Sequence, residues 1–307
     1  VRHDLVMVLL PLLLVLAPGG TPPNPYQLPI GTPGTMQVRT GEIVRGTNGR
    51  KVAMRDVVRA AENVRYILLG ESHDHPEHHQ MQADVISALA KSGRDVVVGF
   101  EMFTRPNQPN LYGWSLGWGS EDDFIQESNW KKEWGFDFGI YRPVFQAVRQ
   151  HRLPMVALNV PRDWVRTVGR GGYGALTDAQ RAELPTGMSL ENREHRSVFE
   201  SLMGGHPLEG TRGENMYAAQ VLWDEGMADS ALKWMARRAP NPKSIMVILA
   251  GSGHVMYGQG INARLLRQQG EKSVSVVMIE GDEPSTVSRG LGYFVYQAKA
   301  LKRKENG

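Results

Sequence analysis

Five short runs of almost unbroken apolar residues recur along the chain: 64–69 (VRYILL), 95–100 (DVVVGF), 154–158 (PMVAL), 244–250 (SIMVILA) and 273–279 (SVSVVMI). Strands covered on both faces require such runs, because neither face can carry polar side chains to water. Between the runs the apolar period lengthens to that of a helix. Met81, Val85 and Leu89 share one face after Pro76, a residue suited to a first helical turn, and Val144 and Val148 mark another face. Strands alternating with helices predict an α/β fold, a mainly parallel sheet flanked by helices.

The third and fourth runs are too far apart for one crossover. Thr177 and Gln180 form a capping-box pattern, and from there to about Arg238 the chain is helical in character, with a break at 203–207 (MGGHP). The reading is an α/β core over 35–161 and 241–300, with a helical insertion subdomain over 162–240. Ahead of the core, Leu5 to Ala17 is an apolar run followed by a Pro/Gly-rich stretch that cannot continue a helix. The run is short for a bilayer and contains Pro11, so residues 1–34 read as a signal peptide plus linker, with a single membrane anchor as the alternative. Export to the periplasm or envelope is the expectation.

Composition narrows this little. The apolar share of 41%, the charged share of 22% and a net charge of +3 are those of an ordinary globular protein. The one basic run, 302–304 (KRK), reads as a tail, and no nucleic-acid partner is expected. The absence of cysteine excludes disulfides, thiolate chemistry and a lipid-modified cysteine, so the chain as given is not a lipoprotein.

Chemistry gathers where the apolar runs stop. In open parallel sheets, ligands bind beyond the carboxyl ends of the strands. The first run ends in Gly70-Glu71-Ser72-His73, the second in Glu101, the third in Asn159 with Arg162 close behind, and the fourth in Gly251-Ser252-Gly253-His254. Strand ends meet water, so one polar residue there means little. Two Gly-x-x-His sequences in matching positions mean more, since glycine permits a tight turn and the histidine is then aimed across the sheet edge. Glu71, His73, Glu101 and His254 are therefore the candidate catalytic residues. The same four could hold a divalent metal with an open position for water, or a carboxylate could orient a histidine that acts as general base. His75 and His79 stand at a metal-compatible spacing, but the first turn of a helix is ordinarily exposed. His78 falls in line with Met81 and Val85 and either faces the site or packs. Asp74 is expected to cap the helix that Pro76 begins, with Glu77 favourable to its dipole.

An aromatic stretch from Tyr112 to Tyr141 also carries Trp114, Trp118, Phe124, Trp130, Trp134, Phe136 and Phe138. It packs on itself by default, or covers a large flat apolar ligand. In the insertion, Tyr173, His206 and Tyr217 are candidates to ligate a haem iron, although such residues are more often structural.

The sequences GESHDHPEHH (70–79), GFEMF (99–103), YRP (141–143), ALNVPR (157–162) and AGSGHV (250–255) resemble the ChaN-type haem-binding uptake proteins, a family grouped with the Tiki, TraB and erythromycin esterase-like proteins. The resemblance runs from about residue 40 to 280. It implies an α/β core with a helical subdomain, export to the bacterial envelope, haem as cofactor or cargo, and an outer-membrane uptake receptor and a second copy of the chain as partners. In the superfamily's enzymes the paired Gly-x-x-His motifs and a glutamate form the active site, which here selects His73, His254, Glu71 and Glu101. The family's tyrosine haem ligand has no motif that aligns, so it is not transferred. Haem binding and a hydrolase of esterase or peptidase type are the two readings.

Overall fold

The structure, a computed structural model, describes residues 23–205, 208–239 and 241–303. The apolar N-terminal run lies outside them. Among the described residues there are ten strands: β1 Thr35–Val38, β2 Ile43–Arg45, β3 Lys51–Val52, β4 Tyr66–Glu71, β5 Asp95–Thr104, β6 Met155–Asn159, β7 Ser244–Gly251, β8 Ser273–Glu280, β9 Ser285–Ser288 and β10 Phe294–Ala298. The α-helices are α1 Met54–Ala60, α2 Pro76–Lys91, α3 Tyr112–Ser115, α4 Glu121–Glu127, α5 Trp130–Glu133, α6 Phe138–His151, α7 Arg162–Gly171, α8 Asp178–Ala182, α9 Arg193–Leu202, α10 Gly210–Ala236 and α11 Ile261–Gln269.

Eight strands form one sheet in the order β3-β2-β10-β8-β4-β7-β5-β6. From β10 to β6 all neighbours are parallel, and β2 and β3 add an antiparallel hairpin at one edge. β1 and β9 form a separate antiparallel pair. The five apolar runs are β4 to β8, each displaced by at most two residues at its start from the sequence reading and longer by up to four at its end.

Their continuous apolarity has the expected cause. Alternate residues of β4 serve opposite faces: Ile67 and Leu69 join a core with Val85, Ile86 and Leu89 of α2 and Val144, Phe145 and Val148 of α6. Tyr66 and Leu68 join a second core with Met227, Ala228, Ala231 and Leu232 of α10 and Ile261 and Leu265 of α11. Each fully buried aliphatic side chain contributes roughly 1.5–3 kcal/mol relative to exposure. Helices α7 to α10 fill the interval between β6 and β7. Thr177 caps α8 as its sequence pattern predicts, receiving the Gln180 N–H and being closed by the Gln180 side chain. α2 departs from expectation: His75, not Asp74, occupies the N-cap, and Asp74 is drawn away to pair with Arg303 at 2.9 Å.

Candidate functional site

β7 lies between β4 and β5, with Glu71 in register with Gly251. Three strand ends therefore stand side by side, and all four strand-end candidates, Glu71, His73, Glu101 and His254, come together there.

Glu71 is buried and saturated. Its Oε1 accepts from the Tyr141 hydroxyl at 2.7 Å and lies 2.9 Å from His73 Nδ1; its Oε2 accepts from Gln82 Nε2 at 2.7 Å and lies 3.1 Å from His79 Nε2. Burial opposes its charge, but the facing His79 and His73 hold the carboxyl well below the usual range. His73 remains partly open, with 28% of its side chain exposed, and Trp134 meets its ring edge-on at 4.6 Å. Burial works against its proton. The Glu71 hydrogen bond and the Glu101 charge prevail, and its pKa is raised.

The second half is built around His254. Its Nδ1 lies 2.7 Å from Asp224 Oδ1 and its Nε2 3.5 Å from Glu101 Oε1. Burial alone would favour the neutral ring, yet the two flanking carboxylates outweigh it and push the pKa up to about 10. Glu101 Oε2 accepts the Gly251 N–H at 2.7 Å. Behind Asp224, His195 Nε2 lies 2.8 Å from Oδ2, and burial lowers the His195 pKa despite that contact. The result is an alternation of imidazole and carboxylate across the sheet end: His79, Glu71, His73, then Glu101, His254, Asp224, His195.

This geometry gives the metal reading no support. His254 presents its two nitrogens to two different carboxylates, and His73 Nδ1 is given to Glu71. Among the described residues no group of three or more His, Asp or Glu side chains is placed to hold a metal ion. The histidines and carboxylates neutralise one another, so their lone pairs do not converge on an ion. His75 and His79 also diverge, His75 Nε2 towards the Lys299 carbonyl at 2.9 Å and His79 towards Glu71. His79 is fully buried, contrary to the exposure expected of a first turn. His78 packs: its Nδ1 accepts the Ser72 N–H at 2.9 Å, and burial lowers its pKa to about 4.

Two of the insertion candidates, Tyr217 and Tyr173, have hydroxyls that are hydrogen-bonded within the insertion. The Tyr217 hydroxyl is held between His195 Nδ1 at 2.9 Å and the Asn192 carbonyl at 3.1 Å, and burial raises its pKa to about 12. Tyr173 donates to the Ala218 carbonyl at 2.9 Å. Both oxygens are committed because α9 and the short turn 173–175 each meet α10. His206 lies outside the described residues.

Tyr141, Gln82, His79 and Asp224 are site residues that the strand-end reading misses. Asp224 leaves a trace in the sequence: Gln220, Asp224, Met227 and Ala231 recur at helical spacing, which places two polar residues on an otherwise apolar stripe.

A family profile described as "Haem-binding uptake, Tiki superfamily, ChaN" matches residues 57–265. The chain belongs to the ChaN family. Among solved structures, "Cofacial heme binding to ChaN of Campylobacter jejuni" is similar, at 19% identity and a TM-score of 0.64, covering 83% of this chain and 95% of that one. The ChaN fold is thus shared. An erythromycin esterase mutant, EreC, in its open conformation matches at 13% identity and a TM-score of 0.45, over 75% of this chain and 70% of its own. The type III effector HopBA1 matches at 10% identity and 0.42, over 81% and 94%. No curated protein matches this ChaN-family chain.

Proposed function

We propose that this protein binds haem and serves haem or iron uptake as an exported, envelope-associated protein. Family membership supports haem as the ligand, and one observation on the surface supports where it sits. Among the described residues, three of the six exposed large hydrophobics, Tyr112 (46%), Leu116 (55%) and Trp118 (68%), fall within seven residues. Tyr112 and Leu116 stand four apart on one helical face, and the Trp118 N–H bonds back to the Gly113 carbonyl at 2.9 Å. Most of the surrounding aromatic stretch is internal core: Trp114, Phe124, Trp130, Phe138 and Tyr141 are buried. The part left outside joins a phenol to two apolar side chains, and exposed large hydrophobics gathered in this way are suited to a binding surface.

Haem would supply an iron that takes an oxygen donor. Here Tyr112 would provide the oxygen, while Leu116 and Trp118 would cover the ring. A patch open to solvent also suits a second copy of the chain facing the first, and an outer-membrane receptor is the proposed recipient. Hemin titrated into the protein should give a stoichiometric Soret shift that Tyr112→Phe abolishes, Trp118→Ala weakens and Tyr173→Phe leaves alone. Equal spectra for wild type and Tyr112→Phe would overturn this site. Export is tested by fractionating expressing bacteria and sequencing the mature N-terminus.

A hydrolase is the second reading, favoured by the two histidine–carboxylate pairs flanking Gly251. His254, kept charged, would protonate a leaving group, and His73 with Glu101 would orient and deprotonate water. A screen of activated esters and peptides would show turnover lost in both Glu101→Gln and His254→Gln; turnover retained in either removes this assignment.

A further inference from the structure

We propose that Arg149 is a positioning residue for the exposed aromatic patch: its guanidinium clamps the loop 116–120, so that Leu116 and Trp118 are held in place before a flat apolar ligand arrives. The inference rests on the haem reading for the identity of that ligand, while the clamp itself is testable without haem.

The loop joins α3 to α4 and is held weakly by its own residues. All five of them are exposed, so none of their side chains anchors it in the core. Gly117 and Gly119 lie in the left-handed region, at φ +80° and +68°, and flank Trp118 with two freely turning positions. Its local bonds run to the flanking helices: the Gly117 N–H donates to the Trp114 carbonyl at 3.0 Å and the Trp118 N–H to the Gly113 carbonyl at 2.9 Å, while Ser120 caps α4. Left to these bonds, a loop with two glycines in five residues has much conformational entropy to lose when a ligand orders it.

Arg149, in the last turn of α6, supplies a long-range tie. Its Nη2 donates to the Gly117 carbonyl at 2.9 Å and to the Gly119 carbonyl at 2.8 Å, the carbonyls of the two residues that flank Trp118. The same guanidinium lies over the Trp114 ring, its Cζ 4.4 Å from the centroid. Trp114 is pinned in turn: it is buried, and its Nε1 donates to the Phe145 carbonyl of α6 at 2.8 Å. Stacking on a fixed ring sets the plane of the guanidinium, and that plane aims its donors at the loop. Glu121 does not divert the arginine, because Arg142 holds that carboxylate at 2.8 Å. Beside the clamp lies an open concavity of about 480 Å³ lined by Trp114, Glu121, Gln146, Arg149 and Gln150, so close packing does not share its task. A loop ordered in advance spares the ligand the cost of ordering it, which is how a residue that never touches the ligand raises affinity.

The full chain is compared with Arg149→Met, which keeps a long side chain and removes its donors, and with Arg149→Lys. Arg152→Met, which removes an exposed arginine at the C-cap of the same helix, is the control. Thermal melts establish that each variant is folded. Amide hydrogen exchange over 112–120, read by mass spectrometry without haem, should quicken at least about tenfold in Arg149→Met, less in Arg149→Lys, and not in Arg152→Met. Hemin affinity should fall about tenfold in Arg149→Met and return in part in Arg149→Lys. In a Trp118→Ala background, Arg149→Met should weaken hemin no further, a coupling that general destabilisation does not produce. Unchanged exchange in Arg149→Met overturns the clamp. Quickened exchange with unaltered hemin affinity, or with a loss that simply adds to that of Trp118→Ala, overturns the positioning role. If the unaltered chain binds no hemin, the haem reading falls, and the exchange arm alone decides the clamp.

Discussion

His254 is held between Asp224 and Glu101, and its raised pKa links stability to pH with a definite sign. The folded state binds this proton more tightly than an unfolded histidine with its ordinary value near 6.5. The contribution is therefore complete below about pH 6.5 and is lost as pH rises towards 10. Urea unfolding at pH 6.5, 8 and 9.5 should show a decline on the order of a few kcal/mol, much reduced in Asp224→Asn. Glu71 and Asp224 have the opposite sign: their depressed values add stability at neutral pH that is withdrawn on acidification. Gly251 gives a steric prediction. An added Cβ would stand 2.8 Å from His73 Cε1, so Gly251→Ala must displace the imidazole at a cost of about 1–3 kcal/mol, read by thermal melting and by the His73 ring resonances. The strand-end residues were legible because apolar runs broke abruptly into Gly-x-x-His. Asp224 and Tyr141 were not, because each sits inside a helix and its partner is remote in sequence.

At the scale of the element, α10 shows how packing overrides propensity. Gly226 lies in its interior, where alanine would ordinarily add up to about 1 kcal/mol of helix stability. A Cβ there would come 2.4 Å from Val160 Cγ1. Gly226→Ala should instead destabilise by about 1–3 kcal/mol in chemical denaturation, and Val160→Ala in the same chain should recover part of the loss. The central strands could be read from the sequence because helices cover both faces. β10 could not: its apolar run is broken by Gln297, a buried residue whose carboxamide donates to the Gly281 and Glu283 carbonyls at 2.9 and 2.7 Å. β2 and β3, three and two residues long, carry too little pattern to signal an edge hairpin. The N-cap of α2 was misread because Asp74 finds Arg303, a partner that no local rule supplies.

Across the whole molecule, the C-terminal segment straps the start of α2. The Lys299 N–H donates to Glu77, its carbonyl meets His75, the Leu301 N–H donates to Glu280, and Arg303 pairs with both Asp74 and Glu280. Removing residues 299–307 should cost about 1–2 kcal/mol, since most of these bonds are at the surface, and should raise hydrogen exchange in the first turn of α2. The sheet order carries a further consequence. β4 and β5 never touch along the sheet; β7 parts them, and the early hairpin waits for β10. During synthesis, the Glu71–His73 wall and the Glu101 wall are thus made long before the strand that joins them. Contacts closing such long loops form late and slowly. Only when β7 slides between its two elders does the strand-end cluster assemble, so a chain that stops short of β7 or misthreads it lacks the cluster, and an assembled cluster certifies that the three central strands stand in their order.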